Sequence, residues 1–364
     1  MLTKLRPLNE KAERKIFIQY YKNGRVYNPQ FEYSDNKYCA TVQHAFDDVF
    51  YSYESENRAE AILNETMRQY GTAASYKAMV WGDVISSDEA MARALAYAEE
   101  NDIQTNIEFG KSLVTTMGKN SLNLVQTSGY YRDIRLDSLL DHELSVHCIR
   151  SKNHKLLDPE VRQVISDCRK EWLSNRLRKV GRKVCSSLRR LLEQHVITMD
   201  EEGLASIVTH AVYSHCYLLF QPALSNYIVH LAKKMSFHDC VKIIMDRHYA
   251  TDIDDAWTQV MRAKRSQQNT AMPGGFCKDI LPFIGAINLL QNIERVDLPI
   301  LFVGKLRLDE YLCHEELIRQ QFQRNVFQTP HFIRNGNEEE YLQTLIHMKN
   351  ENISALTEEK DDAA

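Results

Sequence analysis

LLDHELSVHCIR, residues 139–150, decides how the rest of the chain is read. It sets His142 beside Glu143 and returns to histidine at His147, five positions after the first. Two imidazoles with a carboxylate between them on one apolar helix are how zinc hydrolases hold a metal and a general base together. The common spacing is HExxH, whereas this one is HExxxH. On a regular α-helix, residues i and i+4 lie about 40° apart but i and i+5 about 140° apart. His142 and His147 can therefore share one ion only if the helix bends or widens into a π-bulge, a distortion enriched at functional sites. A regular helix there, with the imidazoles apart, would undo the reading.

The segments before this helix read as short strands at 103–109, 112–116 and 121–126, separated by Gly110 and the turn Gly118-Lys119-Asn120. A small antiparallel sheet would then lead directly into a helix over about 136–150, a layout common to zinc peptidases. Upstream, residues 56–70 carry a helical period ending at Gly71, and Ser86 with Glu89 forms a capping box for a helix reaching Asn101. Downstream, Asp158-Pro159 starts a long basic helix with a break at Gly181. Thr198 and Glu201 read as a second capping box, opening a helix to about Leu219. Further helices are expected at 223–235, 237–247, 252–265 and 278–292. The expectation is an α+β protein, mainly α-helical. It would form one unit over residues 1–355, with the basic helical segment 158–194 inside it and a frayed acidic tail at 356–364.

Catalytic zinc usually takes three protein ligands and a water. The third ligand is sought in MDEEGLASI, residues 199–207. If Glu201 caps the helix, Glu202 sits about 100° further round and can point inward, while Gly203 allows a close backbone approach. Taken alone, Glu202 reads equally as a solvated first-turn acid favoured by the helix dipole. With thirteen histidines in the chain, a chance pairing of His142 and His147 on a core helix also stays open.

Composition narrows the class. The 364 residues suffice for an ample core, and a hydrophobic content of 44 % is that of an ordinary globular protein. A formal net charge of −4 argues against a general nucleic-acid binder. The longest apolar runs, 204–208 and 298–304, are too short to span a bilayer, and MLTKLRPLNEKAERK has no leader-like apolar stretch. A soluble, intracellular protein is expected. Its eight cysteines form no CxxC pair and read as reduced core thiols.

Three blocks in order then match something specific. TSGYYRDIRLDSLLDHELSVHCIR, with Arg150 after the second histidine, EEGLAS at 201–206, and MRAKRSQQNTAMPGGFCKD at 261–279 resemble the microtubule-associated tyrosine carboxypeptidase family and its bacterial relatives with a QEGLA motif. LRPLNEKAERKIFI and NPQFEY are similar to the family's opening, so the resemblance runs from residue 5 to about residue 310. HELSVH replaces the family's HEIGTH, Pro282 and Phe283 stand where a tyrosine is usual, and the segment after His147 is longer.

The resemblance implies a zincin-like metallopeptidase with one Zn²⁺ on His142, His147 and Glu202 and with Glu143 as the base. It implies removal of a C-terminal residue, typically tyrosine, from the α-tubulin tail, and a cytoplasmic, microtubule-associated protein. A related zinc peptidase with another protein substrate, or a catalytically weak microtubule-binding scaffold, are the alternatives. Recognition of a free α-carboxylate calls for cations, and Arg262, Arg265 and Lys278 are the candidates, against a solvated basic helix end. The basic run Arg162 to Arg190 reads as a solvated face or as a docking surface for an acidic partner such as the tubulin tail or microtubule surface. With Trp172 as its one aromatic for stacking, nucleic acid is a weaker option. His210 and His215 read as core or supporting histidines, and His314-Glu315 as surface.

Overall fold

Helix starts follow the capping chemistry of the sequence. Asp35 accepts from the Tyr38 amide at 2.9 Å, Ser86 from Glu89 at 3.0 Å, and Asp252 from Asp254 and Asp255 at 2.9 and 2.8 Å. Gly71 and Gly181, both at positive φ, end the helices before them. The computed structural model describes residues 2–354 except 53, 111–114, 119–120, 127–129 and 214–215. The acidic tail at 356–364, His215 and the tip of the Gly118-Lys119-Asn120 turn lie outside the described residues.

The N-terminal third contains helices α1 (Glu10–Lys22), α2 (Asn36–Phe50), α3 (Ser55–Tyr70), α4 (Ala73–Trp81) and α5 (Ser87–Glu100). Strand β1 (Val84–Ile85) lies between α4 and α5, and β2 (Asn106–Gly110), β3 (Thr116–Met117), β4 (Ser121–Val125) and β5 (Tyr131–Arg132) follow. Helix α6 (Asp133–Leu140) runs into a π-helical segment (Asp141–Cys148) and on into α7 (Ile149–Leu156). Then come α8 (Pro159–Lys179), α9 (Ser186–Ala211), α10 (Phe220–Lys234), α11 (Phe237–Asp246), α12 (Ile253–Lys264), α13 (Leu281–Asn292), α14 (Leu308–Cys313), α15 (Glu315–Arg324) and α16 (Glu338–Ser354). The body is mainly helical with two small sheets. No helix among the described residues is long and apolar enough to cross a membrane.

Two expectations need correction. The three-stranded sheet is mixed, in the order β2-β4-β3: β3 pairs antiparallel with β4, but β2 pairs parallel with it. Apolar alternation marks strands without naming their neighbours. Here the chain crosses from β2 to the far edge, forms β3, and turns back to lay β4 in the middle. A second pair, β1 with β5, is antiparallel and was not foreseen. The other correction concerns Thr198. It opens no helix, because α9 runs unbroken for 26 residues and the Thr198 hydroxyl donates back to the Gln194 carbonyl at 2.9 Å.

The π segment is a central element. Asp141, Glu143, Leu144, Ser145, Val146 and Cys148 are all buried, so it is covered on nearly every side, chiefly by α9. Helix α9 is in turn pressed onto α13. A Cβ built on Gly203 would lie 2.4 Å from the Gly285 carbonyl carbon, and one on Gly285 would lie 2.0 Å from the Met199 oxygen. Only two glycines allow this crossing, which sets the depth of α9, and with it Glu202, against the π segment.

Candidate metal centre and its two cavities

The HExxxH spacing produces the distortion it demands. A turn closed by i→i+5 bonds brings residues five apart to one side of the helix, and the Nε2 atoms of His142 and His147 stand 3.3 Å apart. Glu202 reaches the same point from α9, its oxygens 3.7 Å from His142 Nε2 and 3.9 Å from His147 Nε2. One donor atom from each of the three lies within 4.8 Å of the others, a grouping able to hold a metal ion.

The surroundings fit a cation. Thr209 donates its proton to the Ala205 carbonyl at 2.7 Å, so at 3.1 Å it accepts from His142 Nδ1. His147 Nδ1 donates to Glu201 at 2.8 Å. Both rings thus turn their Nε2 atoms toward Glu202, the tautomer a metal requires. Burial would lower the pKa of His147, but the hydrogen bond it donates to Glu201 and the charges of Glu202, Glu201 and Glu143 outweigh it and raise the value to about 9. For His142, which is half-buried, desolvation prevails and the pKa is lowered.

Glu201, expected to cap a helix, instead orients His147 and also pairs with Lys305 at 3.2 Å. Burial raises its carboxyl, yet the His147 bond and the nearby Arg150 and Lys305 charges hold it well below the usual carboxylate range. Arg150, fully buried, explains the arginine after the motif. Its Nε and Nη2 donate to the Gly304 and Leu306 carbonyls at 2.9 and 2.6 Å, fixing Lys305 between them. Glu143 lines the larger cavity next to the two histidines, and its Oε2 accepts from the Met117 amide of edge strand β3 at 2.6 Å. A carboxylate aimed beside the convergence point and steadied by one backbone donor can accept a proton there.

Two cavities meet at the centre. The larger, of 980 Å³, is lined by β3, by Glu143, His142, His147 and Glu202, and by the cations Lys152, Lys155, Lys305 and Arg262. The smaller, of 250 Å³, shares His142, Glu202 and Arg262 with the cleft but lies between helices. From α6 and the start of the π segment, Arg135, Ser138, Leu139 and His142 line it at i, i+3, i+4 and i+7. Trp81, Tyr213, Pro222 and Pro282 supply much of the remaining wall.

The three cations expected to read a carboxylate are not equivalent. Arg262 lines both cavities, with its Nε 3.2 Å from Asp279. Arg265 turns away, forks onto Asp279 at 2.8 and 2.9 Å and stacks on Phe276. Lys278 lines neither cavity. Between the two arginines, Lys264 is fully buried and donates to the carbonyls of Ala232, Met235 and Met272 at 3.0, 2.7 and 2.9 Å, which ties the 266–277 loop down. The RAKR block is therefore one cavity residue, one knot and one clamp.

Other residues sort as follows. In the basic segment Arg169 is buried on Glu310, Arg182 pairs with Asp48 and Arg189 with Glu193. Arg176, Arg178, Lys179, Lys183 and Arg190 face solvent. Trp172 is covered by Arg176 and Arg307 at 5.6 and 4.6 Å, which removes it as a platform for bases. His210 is buried, as expected, and lines the smaller cavity. His314 is half-buried against Cys168 at 3.2 Å, where a surface position was expected. Arg135 was missed, although its place in the i, i+3, i+4, i+7 stripe ending at His142 was a readable signal.

No protein-family model matches the chain. It is 26 % identical over 331 residues to microtubule-associated tyrosine carboxypeptidase 1 of Homo sapiens, covering 85 % of this chain and 60 % of that protein. The same-named proteins of Rattus norvegicus and Mus musculus are 25 % and 26 % identical over 365 residues, 97 % of this chain and 68 % of theirs. The chain is thus homologous over most of its own length to the family its motifs resemble. It spans only about three-fifths of the human relative.

Proposed function

We propose that this chain is a zinc metallocarboxypeptidase that removes a C-terminal residue, tyrosine foremost, from an acidic protein tail such as that of α-tubulin. The observation that carries the proposal is the convergence of two imidazole Nε2 atoms and the Glu202 carboxylate on a π turn, with Glu143 beside them. One Zn²⁺ on His142, His147 and Glu202 supplies a Lewis acid that acidifies water and polarises the scissile carbonyl. Glu143 takes a proton from the attacking water and delivers it to the leaving amine, moving within reach of both from its seat against β3. Glu201 and Thr209 hold the imidazoles in their metal-binding tautomers throughout.

Charge supports the substrate class. Lys152, Lys155, Lys305 and Arg262 give the large cleft a basic wall outside the three acids of the centre, which favours an acidic peptide. The solvent-facing cations of α8 and the start of α9 extend that attraction toward a microtubule surface and a cytoplasmic setting. The whole of residues 1–355 acts as one catalytic unit in this reading. The homologous proteins are named microtubule-associated tyrosine carboxypeptidases, which agrees with the carboxypeptidase and microtubule parts of this reading.

The test compares the unchanged protein with Glu143→Gln on tyrosinated α-tubulin, read by mass spectrometry, with bound zinc measured in both. The expected result is loss of the terminal tyrosine with the unchanged protein alone, at equal zinc content. Tubulin cleaved equally by Glu143→Gln, or zinc absent from both proteins, would refute the reading.

A further inference from the structure

The smaller cavity holds a chemistry the metal centre does not use. Of its two guanidinium groups, Arg262 shares the carboxylate of Asp279 with Arg265. Arg135 has no carboxylate partner among the described residues. It stacks over Trp81 at 4.5 Å and over Tyr130 at 5.5 Å, and its one hydrogen bond is a long one, 3.4 Å, to the Tyr130 carbonyl. Stacking fixes the plane of a guanidinium without neutralising its charge. The remaining in-plane donors form the fork that matches a carboxylate. Arg135 precedes His142 by seven residues on one helical face, so both line the cavity from the same side.

Size and lining select what the fork would bind. A cavity of about 150 Å³ encloses a benzene ring, so 250 Å³ has room for one aromatic side chain with its terminal carboxylate. Trp81, Leu139 and Pro222 give apolar walls. One acceptor stands among them. His210 donates from Nδ1 to the Ser206 carbonyl at 2.8 Å, which leaves Nε2 with its lone pair and no protein partner among the described residues. Burial, which lowers the pKa of His210 to about 4, keeps the ring neutral.

We propose that this cavity receives the C-terminal residue of the substrate, with Arg135 binding the free α-carboxylate and His210 Nε2 accepting a hydrogen bond from a side-chain hydroxyl. The assignment rests on the carboxypeptidase reading of the adjoining centre. It places Arg135, and neither Arg265 nor Lys278, at the substrate's terminal charge.

The test uses N-terminally labelled peptides ending in Glu-Glu-Tyr as free acid and as amide, and in Glu-Glu-Phe as free acid. Binding is read by fluorescence anisotropy on zinc-loaded Glu143→Gln protein, and kcat/KM on protein with Glu143 intact. Arg135→Gln should weaken the free acid by about 10- to 100-fold and leave the amide unchanged, while Arg135→Lys restores part of the loss. His210→Phe should erase a preference for Tyr over Phe of about tenfold. Equal binding of acid and amide by protein retaining Arg135, or an equal loss for both in Arg135→Gln, overturns the proposal. Should Arg135→Gln melt below the assay temperature, Arg135→Lys decides: its acid-over-amide ratio must fall, because a point charge replaces the fork. If no peptide is cut, yet acid-selective binding is present and vanishes in Arg135→Gln, the carboxypeptidase reading fails and the carboxylate site stands.

Discussion

Glu201 separates a histidine-orienting carboxylate from a ligating one, and its replacement gives the sharpest test of the centre. It is 5 % exposed, and its Oε1 accepts from His147 Nδ1 at 2.8 Å and from Lys305 at 3.2 Å. In Glu201→Gln the amide oxygen still meets the imidazole N–H, but the charge is gone. A hydrogen bond to a charged group contributes about 1.5–3 kcal/mol and a neutral one about 0.5–1.5 kcal/mol. The difference of about 1–2 kcal/mol, at about 1.4 kcal/mol per tenfold, gives a loss in zinc affinity of roughly 5- to 30-fold. Glu201→Ala removes the acceptor altogether, leaves a buried N–H and Lys305 unpaired, and should reach the upper end of the 10- to 100-fold range, about 100-fold. The assay is competition with a fluorescent zinc chelator at fixed pH and salt, with Glu202→Gln in parallel, which should lose far more. If Glu201→Ala holds zinc within about twofold of the unchanged protein, or if Glu201→Gln loses more than Glu202→Gln, the assignment of the two adjacent glutamates is refuted.

Gly203→Ala puts a methyl into the Gly285 backbone at 2.4 Å. Forcing α9 from α13 should cost about 1–3 kcal/mol in urea unfolding and weaken zinc binding, since Glu202 moves with the helix. Lys264→Met should cost about 3 kcal/mol or more by the same measurement, because three buried carbonyls lose their common donor. His230 is fully buried between Tyr51 at 2.9 Å and Ser55 at 3.1 Å, and burial lowers its pKa from 6.5 to about 4. The folded state resists a proton that the unfolded state takes up below pH 6.5, so this contribution is intact above pH 6.5 and lost as pH falls toward 4. The full effect is about 3 kcal/mol, and His230→Gln should flatten the fall in stability over that window by a like amount.

The parts of the site legible in the sequence were those fixed by local geometry. An HExxxH cannot converge on a regular helix, so the spacing alone called for a widened turn, and residues 141–148 are π-helical. Glu202 and Glu201 point differently because neighbours on a helix differ by about 100°. Where the separation came from capping, however, the reasoning failed. Thr198 has the composition of a cap, but its hydroxyl is equally served by the carbonyl four residues back in a continuous helix. Glu201 owes its role to His147, a partner 54 positions earlier that no local pattern names. The sheet order was hidden for the same reason, since alternation tells which face a strand buries and not which strand it meets. Arg265 and Lys278 were proposed on charge, and charge is a poor guide when a single buried carboxylate, Asp279, can take up one arginine and hold a second.

The π segment explains why one ion site can serve two cavities. On a regular helix the residue after the first ligand lies about 100° round from it, so Glu143 would still flank that ligand, but a histidine five positions on would point away. Widening the turn brings His147 round to the side of His142, so both imidazoles meet partners on α9 while Glu143 meets the β3 edge. The convergence point then borders both the basic cleft, which is lined by Glu143, and the smaller cavity lined by Arg135. A peptide entering along the cleft would present its last peptide bond beside Glu143 with one residue beyond it. The cavity has room for that residue, as the proposed carboxypeptidase activity requires. On the proposed reading, the extra residue in HExxxH keeps the two imidazoles together while Glu143 stays on the wall of the cleft along which the peptide would enter.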